Sequence, residues 1–178
     1  MKPLRSDRLT LIASTLAHVS TELETPEQLA TLLGAIVSNE WPTGEYDREA
    51  MEYFRARLEE GGEAVEGWYG WYAVRAADEE GPRALVGAGG YFGPPDAEGI
   101  VEIGYSVLPE WQRRGYASEI VRMLLEHAFT FASVERVIAH TTEENTASIS
   151  VLLRSGFQAA GREEDSGSLR FERSRQVS

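Results

Sequence analysis

The residues with the clearest chemical promise stand at 112–118, where Gln112, Arg113, Arg114, Gly115, Tyr116, Ala117 and Ser118 read QRRGYAS. Directly after them comes EIVRMLLEHAFTFA, whose apolar residues recur at helical spacing. Two arginines, a glycine and a serine therefore fall on the amino end of a helix. About four backbone N–H groups lack intrahelical partners there, and the helix dipole adds partial positive charge. A glycine lets an anion come close to the backbone, so the turn has the makings of a phosphate grip. It is neither of two common nucleotide loops, because GxxxxGK[ST] and GxGxxG are both missing. Taken alone, the stretch reads equally well as a solvated basic loop.

A second group is NEWPTGEY, where Glu40 and Glu45 alternate with Trp41 and Tyr46. Carboxylates beside aromatic faces suit capture of an ammonium group by charge and by cation–π attraction. Core packing is the commoner use of tryptophan. Other chemistries are closed off. With no cysteine there is no disulfide, zinc–thiolate site or thiol nucleophile. His18, His127 and His140 lie far apart, without ligand spacing, so no metal is expected. Seventeen Lys and Arg against 29 Asp and Glu give a formal charge of −12, which repels phosphate backbones and disfavours nucleic acid. The same charge leans toward a cationic partner such as an amine, although it also serves solubility. No apolar run approaches ~18 residues, so no membrane span is expected. The charged N-terminus does not read as a signal peptide, and the expected location is cytoplasmic.

The elements that must position these residues follow from periodicity. At 178 residues the chain suits one domain over 1–178. RLTLIA (8–13) predicts a first strand. TPEQLATLLGAI (25–36) predicts a helix capped by Thr25, with Pro26 at its first position and Gln28 closing a capping box. DREAMEYFRARLEE (47–60) predicts another, with Met51, Phe54 and Leu58 on one face. Strands follow at 68–76, 84–92 and 100–107, then the helix from Gly115 to Ala132. RVIAH predicts a short buried strand, NTASISVLLRS (145–155) a helix closed by Gly156, and FQAAG and SLRFER the last strands. The order gives one α/β or α+β domain.

Read together, EIGYSVLPEWQRRGYASEIVRMLLEHAF resembles the signature of the GNAT superfamily of acyl-CoA-dependent N-acyltransferases. Gln112-x-x-Gly115-x-Ala117 matches its pyrophosphate loop, and NTASISVLLRSGF matches its second motif, Asn-x-x-Ser followed by Leu-x-Arg-x-Gly-Phe. RSDRLTL and the element order are similar to the branch of ribosomal-protein and small-amine acetyltransferases. The resemblance implies a GNAT-like α+β fold, with a mixed, mostly antiparallel sheet of about six to seven strands, splayed at its middle, and about four helices.

It further implies that acetyl-CoA is the donor, with its pyrophosphate on Arg113 to Ala117 and Ser118. The pantetheine would pair with the strand edge at Tyr105, Ser106 and Val107, and meet Asn145. Glu102, an acid in an apolar strand, is the candidate base, on the premise that burial raises its pKa. The alternative is that it faces solvent or pairs with an arginine. The family's usual tyrosine acid falls at Leu152, so Ser148 of Asn-x-x-Ser is the candidate for meeting the leaving thiolate, or else it simply occupies a capped first turn. Arg154 could reach the coenzyme phosphates but is read first as lying on the solvent face of its helix. Glu40, Trp41 and Trp71 are the candidate acceptor contacts, within a wider set of Tyr46, Trp68, Tyr69 and Tyr72. The acceptor is a protein N-terminus or an amine-bearing small molecule, and a homodimer is left open. The rival reading is a non-catalytic acyl-CoA sensor, supported by the missing tyrosine.

Overall fold

Alternating burial along IVEIGYSV and its neighbours builds the centre of the protein, for which a computed structural model describes residues 1–176. The strands are β1 (Leu4–Arg5), β2 (Leu9–Ala13), β3 (Gly70–Arg75), β4 (Ala84–Tyr91), β5 (Ile100–Val107), β6 (Arg136–Thr141), β7 (Gln158–Arg162) and β8 (Leu169–Ser174). They join one sheet in the order β1-β2-β3-β4-β5-β6-β8-β7. The helices are α1 (Leu16–Glu24), α2 (Leu29–Leu33), α3 (Arg48–Gly61), α4 (Tyr116–Phe129) and α5 (Thr146–Arg154).

Among the described residues, eight strands and five α-helices exceed the expected numbers. Strand β1 has only two residues, paired Leu4 to Leu11 and Arg5 to Thr10, too few to show a period. Helix α1 did carry a signal, since Leu16, Val19 and Leu23 stand at helical spacing. Its cap is reciprocal: the Thr15 hydroxyl accepts from His18 N–H, and His18 Nδ1 accepts from Thr15 N–H. The helix expected to start at Thr25 is corrected. Residues 26–28 form a 3-10 turn, and the Thr25 side chain caps nothing. Its N–H instead bonds Thr21 C=O and closes α1. Helix α3 starts as expected, with Asp47 accepting from Ala50 N–H.

The sheet is covered differently on its two faces. Trp71 and Ala73 of β3, with Val101, Ile103 and Val107 of β5, pack against Ile120, Val121 and Leu124 of α4. The opposite residues, Tyr69, Tyr72, Val74 and Ala88, pack against α1, α2 and α3. Gly89 permits the close approach of α4, because a Cβ there would sit 2.7 Å from Ile120 Cγ2.

Strand β5 changes partner along its length. Ile100 to Glu102 pair in parallel with Arg136 to Ile138 of β6. Ile103 to Val107 pair antiparallel with β4 on the other edge. Beyond Glu102 the two halves of the sheet part, and β5 keeps one unpaired edge.

Candidate active site

The open edge of β5 runs straight into the anion turn. Phe92 N–H bonds Glu102 C=O and Leu108 N–H bonds Val86 C=O, so even-numbered residues of β5 bond β4. The backbone groups of Ile103, Tyr105 and Val107 then face the gap. One of them, Val107 C=O, accepts from the Gln112 side-chain amide at 3.0 Å. Gln112 thus ties the turn to the strand end.

Within the turn, Arg113 (φ 61) and Gly115 (φ 82) are both left-handed. Alternation of hand turns successive N–H groups toward one concave side, the geometry of an anion nest. The first intrahelical bond of α4 is Glu119 N–H to Gly115 C=O, so the N–H groups of Tyr116, Ala117 and Ser118 precede it. The Tyr116 side chain is buried in the core and contributes only its backbone here. Arg113 and Arg114 are exposed, with Arg114 reaching Glu80 at 3.2 Å.

Arg8, absent from the sequence-based set, supports this turn from the far edge of the sheet. It donates to Arg114 C=O at 2.8 Å and, through Nε, to Glu119 at 2.9 Å, while its guanidinium lies 4.6 Å over the Tyr116 ring. The arginine of RLTL stands alone in sequence, so only the sheet order reveals its role.

Across the gap, Asn145 caps α5 by accepting Ser148 N–H at 3.1 Å. The Ser148 hydroxyl lies 2.8 Å from the Tyr105 hydroxyl. Burial pushes the Tyr105 phenol above its ordinary pKa, and the serine contact only partly offsets this. Leu152, at the family's tyrosine position, is fully buried. Arg154 is exposed, as expected.

The premise for Glu102 is corrected. Its side chain is 34% exposed rather than buried, and Oε1 contacts His140 Nδ1 at 2.7 Å. His140 Nε2 meets Glu163 at 3.0 Å. Burial alone lowers the His140 pKa, but the two hydrogen bonds and charges outweigh it and raise the value. Glu102 therefore pairs with a histidine of β6 rather than with an arginine.

Below the β4–β5 pair, on the α3 side, a pocket is lined by Glu45, Tyr46, Phe54, Phe92, Gly104 and Ser106. Ser106 donates to Thr43 C=O at 3.1 Å, joining the 41–46 loop to β5. Of the expected acceptor residues Tyr46 lines this pocket, whereas Glu40, Trp41, Trp68, Tyr69, Trp71 and Tyr72 do not. Trp71 is 0% exposed, lies on the α4 face and donates to Gly67 C=O, so it is a core residue. Trp68 joins the same aromatic core, beside Tyr91 and Phe131. Trp41 donates to Glu22 at 2.8 Å, as Tyr46 and Tyr72 do through their hydroxyls. Glu22 is 7% exposed, and burial raises its pKa while the three donors pull it back. It anchors the loop from beneath. Tyr69 packs among Phe54 and Tyr53, and Glu40 is exposed on the loop.

Comparison with known proteins places this geometry. Residues 9–158 match the family described as acetyltransferase (GNAT) domain. The uncharacterized N-acetyltransferase YjdG of Bacillus subtilis is 29% identical over 154 residues, covering 86% of this chain and 88% of that protein. The ribosomal-protein-S5-alanine acetyltransferase of Vibrio fischeri superposes with a TM-score of 0.68 at 16% identity, over 98% of this chain and 97% of that one. The microcin self-immunity acetyltransferase MccE, solved with acetyl-CoA and AMP, gives 0.61 at 14% identity, over 96% and 94%. With the matched region spanning most of the sequence, including both the β5 edge and the α4 turn, this chain belongs to the GNAT acetyltransferase family.

Proposed function

We propose that the protein moves an acetyl group from acetyl-CoA to a primary amine by direct attack on the thioester. The observation that carries this reading is the change of partner along β5. It leaves a free strand edge between an anion nest on one side and a carboxylate-bearing pocket on the other. Acetyl-CoA supplies the activated acyl group. The N–H groups of Arg113 to Ala117, with the Ser118 hydroxyl, would hold its pyrophosphate, and Gly115 keeps that cradle free of a Cβ. The edge of β5 and the Asn145 amide nitrogen would hold the pantetheine.

The Val107 N–H is the donor available to polarise the thioester carbonyl, an oxyanion-hole role. The Ser148 hydroxyl stands on the first turn of α5, where the helix dipole also favours a forming thiolate. As the amine nitrogen bonds the carbonyl carbon and the carbon–sulfur bond breaks, the amine proton passes to Glu102 or to water on it. His140 holds that carboxylate in place. Glu45 and the Tyr46 and Phe92 rings suit a cationic acceptor. The Vibrio fischeri relative is named for an alanine of a ribosomal protein, so a protein α-amino group joins small amines as a candidate.

Thiol release from acetyl-CoA is the test, across peptides of varied N-terminus, aminoglycosides, polyamines and amino acids, with calorimetry for acetyl-CoA binding. Neither binding nor consumption would sink the reading. In the active pair, Glu102→Gln is expected to lower kcat about 100-fold.

A further inference from the structure

The family's tyrosine position is filled by Leu152, which is fully buried and carries no donor. The structure nevertheless delivers a phenol to the same helix from another element. Tyr105 leaves β5 in the stretch that pairs with β4 on one edge and is free on the other, and it packs along the α4 face. Its hydroxyl ends 2.8 Å from Ser148 Oγ. The backbone carbonyl of Ser148 lies farther off, at 3.4 Å. That carbonyl also belongs to the helix ladder of α5, which leaves the serine hydroxyl as the better acceptor.

We infer that Tyr105 is a positioning residue: its phenol donates to Ser148 Oγ and so turns the serine's own hydrogen outward, to the leaving sulfur. A serine hydroxyl has one hydrogen and rotates freely unless an acceptor or donor fixes it. With its lone pair held by a phenolic donor, the serine can only donate elsewhere. A chain of two hydroxyls also polarises cooperatively, which strengthens the outer bond. Burial of Tyr105 keeps the phenol protonated, so the donor persists across the neutral range. No proton need leave the phenol. The serine stabilises sulfur's charge by hydrogen bonding, and the thiolate takes its proton from solvent after release.

The inference rests on the acetyl-transfer reading above, and its test separates the two. Tyr105→Phe, Ser148→Ala and the double variant would be compared with the parent, using the acceptor that gives thiol release. Each single variant is expected to lower kcat about 10-fold, the scale of one hydrogen bond to a charged group, with acetyl-CoA affinity kept within about 2-fold. The double variant is expected to be no slower than either single one, because both remove the same bond. A second readout needs no turnover. Coenzyme A binding, followed by calorimetry between pH 6.5 and 9 (about two units around the ordinary thiol range), should strengthen with pH in the parent as the thiolate forms. Both single variants should lose that gain equally.

Losses that multiply to about 100-fold in the double variant would overturn the inference. So would a Tyr105→Phe protein with parental kcat, or one that keeps the parental pH gain. In those cases acetyl transfer itself stands. A parent that neither binds nor consumes acetyl-CoA removes both.

Discussion

Arg8 and Arg114 are joined side chain to backbone: the Arg8 guanidinium donates to the Arg114 carbonyl at 2.8 Å. The same guanidinium grips Glu119, which is 9% exposed and also accepts from the Ser6 hydroxyl. An edge segment of the sheet thereby fixes the turn that opens α4. Arg8→Ala should raise the acetyl-CoA Kd about 10-fold, because the nest loses its brace. It should also cost about 2 kcal/mol, less than a fully buried pair because Arg8 is half exposed. Calorimetry and urea unfolding read the two effects separately.

The two arginines of the turn are expected to matter less than its backbone. Arg113 occupies a left-handed conformation at φ 61, which costs a side-chain-bearing residue about 1 kcal/mol. Arg113→Gly relieves that strain, while the freer unfolded chain takes back a similar amount. Stability should stay within about 1 kcal/mol of the parent, and acetyl-CoA Kd should rise no more than about 3-fold. A 100-fold loss of affinity, by the same calorimetry, would move the grip from backbone to side chain.

His140 makes stability depend on pH in a definite direction. Its folded pKa is raised, so its contribution is fully present below the ordinary value of 6.5 and is lost as pH rises through the folded value. Above pH 6.5 the melting temperature should fall for the parent and less for His140→Gln. His18 and His127 have lowered values, chiefly through burial, and act in the opposite window. Their contribution is present above 6.5 and lost as pH falls below it. Melting curves of parent and variant from pH 5 to 9 would expose a wrong sign, over about two units on either side of the histidine range.

Glu22 concentrates more hidden polarity than any residue of the proposed chemistry. Glu22→Ala leaves Trp41 Nε1 and the Tyr46 and Tyr72 hydroxyls without their acceptor. Each stranded donor costs about 1–3 kcal/mol, so a loss of at least about 3 kcal/mol is expected. Glu22→Gln keeps one acceptor oxygen and should lose less. Equal losses in the two variants, by urea unfolding, would show that packing rather than acceptance matters at this position.

The donor side of the fold was legible because its signals are local. QRRGYAS places a glycine and N–H groups at a helix start, and NTAS places a cap three residues from a hydroxyl, so sequence spacing is spatial spacing. Glu102 was legible as an acid in an apolar strand, but its partner was not, since His140 lies on a strand brought alongside only by the crossover. Tyr105 was read for its backbone, and nothing in EIGYSV tells that its hydroxyl meets Ser148. Trp71 misled because an aromatic in an alternating strand says which residues share a face without saying which face is wet. Leu16, Val19 and Leu23 carry the period of α1, and the cap expected at Thr25 is absent because a 3-10 turn, not an α-helix, follows it. Arg8 and Glu22 act at long range, and residue types alone do not announce such partners.

The separate packing of the two sheet faces has a use for redesign. Helix α4 and β5 rest on one set of side chains, while the 41–46 loop and α3 rest on another, with β3 and β4 contributing to both. Residues that do not touch have nearly independent free energies. If that pocket takes the amine as proposed, its wall from the 41–46 loop through α3 should be exchangeable for that of a relative without recasting the α4 half. Chimeras built at that boundary should inherit their amine preference from one parent and their donor affinity from the other.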